Sequence, residues 1–144
     1  MAAEPLADPR QLAADIVTAH VDDRRWLDAF SAAVDERRRG QRLSRVLAVW
    51  GLSQTEAAAA FGVTRQAVSK WLDAGEPSDR AVAIADLSAA TDLLVRHITR
   101  ERIPAVVRRP AANLGGQSLL GLLATRGARA VLDACQAMFA FQDA

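Results

Sequence analysis

The sequence predicts an all-α fold, a helix-turn-helix core followed by a small helical C-terminal domain. Three observations predict it. Apolar residues recur three and four positions apart along nearly the whole chain, and the alternation of a half-buried strand is absent. Helix-starting residues stand just ahead of these runs, with glycine or proline just behind. Within residues 51–75, two such start-and-stop units follow each other across a tight turn.

The elements are taken in order. Asp8 can cap a first helix, with Pro9 at its first position and Gln11 reaching back, and Leu12, Ile16 and Ala19 along one side. Asp22 or Asp23 caps the next, where Trp26, Leu27, Phe30 and Val34 share a helical face. That helix is expected to finish in Glu36-Arg37-Arg38-Arg39-Gly40. Arginines there complement the helix dipole or meet phosphates. A third helix follows, with Leu43, Val46, Leu47 and Trp50 inward and Arg42 and Arg45 as nearby bases.

Ser53 and Glu56 then form an S-x-x-E capping box, and Gly62 suits the left-handed residue that closes a helix. Thr64 caps a second short helix, which Gly75 and Pro77 end. On it, Val68 and Trp71 point inward while Arg65, Gln66, Ser69 and Lys70 share the outer side. Ala58 sits at the helix crossing, where a large side chain would push the pair apart. Glutamine can pair bidentately with adenine and arginine with guanine. The plainer alternative is two ordinary helices joined by a glycine turn.

Beyond Pro77, Ser78 is expected to cap a long helix carrying Ile84, Leu87, Thr91, Leu94, Val95 and Ile98 on one face. Pro104 suits the first turn of a short helix, Pro110 ends it, and Asn113 with Gly115-Gly116 makes an irregular turn. Ser118 caps a helix over residues 119–124, and Thr125-Arg126-Gly127 breaks it. The last helix carries Val131, Leu132, Cys135, Met138 and Phe139 on one face. The chain accordingly divides into N-terminal helices (1–40), a helix-turn-helix core (41–76), a connecting helix (77–99) and a C-terminal domain (100–144).

Leu52-Ser53-Gln54, Ala58, Gly62-Val63-Thr64, Val68-Ser69 and Lys70 together resemble the Cro/repressor-type, Xre-like helix-turn-helix family. Ala57 and Leu72 depart from its usual large aliphatic and acidic residues. The resemblance implies a Cro/repressor-like bundle with Gln54 on a phosphate and Arg65, Gln66 and Ser69 facing bases. Thr64 and Lys70 complete the DNA-binding candidates.

The later stretch, with Pro110, Asn113-Leu114-Gly115-Gly116, Ser118, Leu120, Leu122-Leu123 and Val131-Leu132, resembles the C-terminal domain of the Xre/MbcA/ParS antitoxin family. Members of that family pair with RES-domain toxins. Val106 stands where the family usually has tryptophan, and Leu119 where it has a second proline. The resemblance implies a NAD-consuming toxin silenced by covering its active-site cleft, and repression of the shared operon. Arg109, Asn113, Gly116, Gln117, Phe139 and Phe141 are the toxin-facing candidates. Aromatic anchors dominate many interfaces. Phe139 fits a core position equally well.

Composition bounds the rest. The chain has 144 residues, 51% hydrophobic and 24% charged, enough for a core and a polar surface. A net charge of +1 leaves DNA attraction to local clustering. A single cysteine, Cys135, excludes an internal disulfide and a multi-cysteine zinc site. No run is long enough to span a bilayer, and the Met1–Leu6 stretch lacks signal-peptide features. A cytoplasmic protein without cofactor or metal is expected. Its partners would be double-stranded operator DNA and a cognate RES-domain toxin, in a homodimer or a toxin–antitoxin hetero-oligomer. An orphan regulator whose C-terminal domain only dimerises or binds another protein is the alternative. An enzyme is not expected, because His20, His97 and Cys135 fall in no catalytic or metal-binding spacing.

Overall fold

A computed structural model describes residues 8–141, the side chain of Arg39 excepted. The Met1–Leu6 stretch lies outside them. Among the described residues the fold is all helical, as expected. The chain divides into two compact units between Asp35 and Glu36.

In the first unit, α1 spans Pro9–His20 and is capped by Asp8, whose carboxylate accepts from the Arg10 amide at 3.2 Å. Gln11 does not reach back to the cap. Its amide instead donates to Asp15 at 2.9 Å, one turn on, which is the nearer partner once the helix has formed. Asp23, rather than Asp22, caps α2 (Arg24–Trp50), accepting from the Trp26 amide at 3.0 Å. His20 and Phe30 stack on Trp26.

The expected break at Gly40 is corrected, because α2 runs unbroken from Arg24 to Trp50. Gly40 is a close-approach residue. A Cβ added there would lie 2.9 Å from the carbonyl oxygen of Leu72. The arginines before it therefore sit within a helix and complement no C-terminal dipole.

In the second unit, Leu43, Val46, Leu47, Val49 and Trp50 of α2 are buried. The capping box is complete at α3 (Gln54–Phe61), where Ser53 and Glu56 exchange backbone bonds of 3.1 and 3.2 Å. Gly62 ends α3 at φ 65°. Thr64 caps α4 (Arg65–Ala74) by accepting from the Ala67 amide at 3.1 Å.

Ser78 is not the expected cap. Residues Ser78–Arg80 form a 3-10 turn, and α5 (Ala81–His97) starts without a side-chain cap. The turn serves Arg80, whose guanidinium donates to the Phe61 carbonyl at 3.3 Å and lies 5.6 Å from the Trp71 ring centre.

Pro104 occupies the first turn of α6 (Ile103–Arg108), and Ser118 caps α7 (Leu119–Arg126) through the Gly121 amide at 3.0 Å. The last helix, α8 (Ala128–Phe139), packs along α5, while α7 touches α3, α6 and α8. One apolar core therefore runs from α2 and α4 into α7 and α8. Inside it, the Trp50 indole donates to Thr91 at 3.0 Å, and Thr91 donates to the Leu87 carbonyl at 2.8 Å. No helix among the described residues is long and apolar enough to cross a membrane.

Replacing Gly40 by alanine sets a helix-propensity gain of about 1 kcal/mol against an overpacking cost of about 1–3 kcal/mol. The contact is with backbone, which yields little. A lower urea midpoint for Gly40→Ala is expected, and an unchanged or raised midpoint would contradict the packing at that position.

Candidate functional site

The outer side of α4 is a polar ridge. Val68 is fully buried and Trp71 is 7% exposed, which turns Arg65, Gln66 and Lys70 to solvent, with Ser69 half-buried beside them. Gln54, at the start of α3, joins Arg65, Gln66 and Ser69 around an open cleft of about 170 Å³. Thr64 is exposed but spends its hydroxyl oxygen as the cap. The ridge is held from behind by the Phe61 ring, edge-on to Trp71 at 5.9 Å, and by Arg80 over the same indole. Arg45, one of the bases noted near the motif, pairs with Asp92 on α5, whereas Arg42 is exposed.

What holds α3 in place was not foreseen. The Arg108 guanidinium donates to the carbonyls of Trp50 (2.9 Å), Gly51 (2.7 Å) and Pro104 (3.0 Å), and to the Glu56 carboxylate (3.0 Å). It thereby satisfies carbonyls at the end of α2 that have no helical partner. It also grips the residue that closes the α3 capping box. Gly51, at φ 67°, turns the chain here, and a Cβ on it would lie 3.1 Å from the Pro104 ring. The Ser53 amide and then the Arg108 guanidinium hold the Glu56 carboxyl below its ordinary range. No local spacing flags Arg108, because its partners lie far away in sequence.

The toxin-facing candidates separate. Asn113 and Gln117 line a groove of about 530 Å³ whose floor includes Leu122 and Ala134 and whose rim includes Arg126 and Asp133. Gln117 also accepts from the Thr125 hydroxyl at 2.8 Å. Arg109 and Gly116 are exposed but do not line that groove, and Phe141 is 91% exposed. Phe139 is corrected from anchor to core. It is 5% exposed and stacks on His97 with ring centres 4.4 Å apart, so its face is already used within the chain. Cys135 is fully buried, and burial pushes its thiol up to about 12, so it carries no thiolate nucleophile at neutral pH.

Arg108→Ala removes four charge-assisted contacts and should cost about 2–3 kcal/mol in urea unfolding. It should also raise the Glu56 value toward the ordinary carboxylate range, as followed by NMR titration. Because Glu56 is lowered in the folded chain, its contribution is present at neutral pH and lost as the pH falls through its folded value. The variant should therefore lose less stability between neutral and acid pH than the parent. An unmoved Glu56 titration would remove Arg108 from that role.

No family model matches this chain, and no curated relative matches it. Among solved structures it is similar to a chain of the M. tuberculosis MbcT-MbcA toxin-antitoxin complex. The TM-score is 0.56 at 18% identity, over 69% of this chain and 91% of that one. This chain therefore has the fold of a component of that complex.

Proposed function

We propose that this chain is a DNA-binding antitoxin. It neutralises a RES-domain, NAD-consuming toxin by covering that enzyme's active site, and it represses the operon the two share. The observation that carries the reading is the solvent-facing ridge of Arg65, Gln66, Ser69 and Lys70, set on a fold shared with a chain of a toxin–antitoxin complex. Gln54 and Lys70 take phosphates, while Arg65 and Gln66 reach base edges in the major groove. Two heads read half-sites one helical turn, roughly 34–36 Å, apart. Arg109, Asn113, Gly116, Gln117 and Phe141 form the toxin-facing side, in a cytoplasmic complex. The departures from the resembled family fall in packing positions. Leu119 is buried and Val106 half-buried, so neither strips an exposed contact from that side.

The double variant Arg65→Ala/Gln66→Ala should bind its operator at least about tenfold more weakly in a gel shift, since a bidentate contact is worth about 1–3 kcal/mol. Its thermal transition should stay unchanged. Equal shifts for parent and variant would remove α4 as the reading helix.

Removing residues beyond Thr99 would be a poor test of the toxin-facing side, because α8 packs along α5 and the fragment would lose its core. Surface changes serve better. Arg109→Glu/Phe141→Ser should abolish co-purification with the product of the neighbouring gene while the fold survives, and full retention of capture would refute the assignment.

A further inference from the structure

No residue among 8–35 is buried, although this stretch forms helical structure that carries large apolar side chains. Leu12 is 49% exposed, Val17 56%, Val21 61% and Phe30 43%. Units below about 40 residues rarely bury enough surface to hold themselves together, and association is one of the usual remedies. The unit carries six aspartates (8, 15, 22, 23, 28 and 35) against three arginines (10, 24 and 25), an acidic balance that disfavours DNA as its cover.

The pattern on α2 points to a specific cover. Two copies of this helix laid antiparallel about a twofold axis at Phe30 match themselves. Each Phe30 meets its counterpart, Trp26 falls opposite the partner's Val34, and Leu27 falls opposite the partner's Ala33. Arg24 and Asp35 lie about three helical turns apart, hence on the same flank and near opposite ends of the segment. The twofold brings Arg24 of each copy beside the partner's Asp35. Within one chain the two are roughly 16 Å apart and cannot pair. Such an arrangement is isologous, and two helix pairs joined this way make a four-helix bundle.

We propose that residues 8–35 form the self-association surface of this chain, with a second copy docked antiparallel through α2 about Phe30. The apolar side chains left open by one copy become the core of the bundle, and the Arg24–Asp35 flanks set register and direction. The proposal holds whether or not the chain reads DNA, because it concerns only how copies associate.

The test is sedimentation velocity on the full chain over roughly 1–100 µM, with DNA binding and toxin capture left out of the readout. The parent should reach the dimer mass. Phe30→Asp should raise the dissociation constant at least about tenfold, since it places two carboxylates face to face on the axis. Asp35→Arg should weaken the dimer, and Arg24→Asp/Asp35→Arg should recover most of the loss. Should Phe30→Asp lose helix content, the charge exchange still decides the matter, because neither of its side chains is buried. A parent that stays monomeric would overturn the proposal and point to a different partner for this face. So would a dimer indifferent to Phe30→Asp, or an Asp35→Arg loss that the double exchange fails to repair.

Discussion

The Arg108 guanidinium sits where three parts of the second unit meet. It holds the last turn of α2, the first turn of α6 and the capping carboxylate of α3 at once. The carbonyls of Trp50 and Gly51 end a long helix with no helical donors left to them, so a charged donor there gains more than a surface ion pair would. Because α3 is fixed by this clamp and α4 leaves α3 through the short turn at Gly62, the direction of the α4 ridge follows from it. Gly51 and Pro104 make the close approach possible, since any side chain at Gly51 would meet the proline ring.

Behind the clamp, the helix-turn-helix and the C-terminal helices are not separately stabilised. Val68 and Trp71 of α4 belong to the same apolar cluster as Leu122, Val131 and Phe139 of α7 and α8. The Trp50–Thr91 hydrogen bond ties α2 to α5 within that cluster. A buried indole N–H left without an acceptor is costly, so this pair specifies how α2 and α5 meet as well as adding stability. For an antitoxin of the proposed kind, a disturbance at the C-terminal helices has a packed route toward α3 and α4.

The points at which sequence expectation and structure part have a common physical cause. Gly40 looks like a helix stop, but its missing Cβ serves a contact with α4. Ser78 has the chemistry of a cap, but the 3-10 turn it opens is spent on placing Arg80 against Trp71 and the end of α3. Phe139 has the look of an interface anchor, yet His97 on α5 supplies a stacking partner inside the chain. Each residue is read correctly for what it can do locally, and each is claimed by a neighbour that arrives only with the tertiary fold.

Sequence alone determined the helices and most of their ends. The Ser53–Glu56 box, the Thr64 and Ser118 caps, and the stop at Gly62 all rest on partners within a few residues. Periodicity likewise placed Leu43, Val46, Trp50, Val68 and Trp71 inside, and so turned Arg65, Gln66 and Lys70 outward. Tertiary structure decided which helices share a core, that α2 continues past Gly40, and that Arg108 is the residue gripping the motif. Those outcomes depend on groups roughly fifty residues apart in the chain, such as Arg108 and Trp50. Local spacing carries no record of such pairs, because the chain joins them only when the apolar faces of α5, α7 and α8 are buried together.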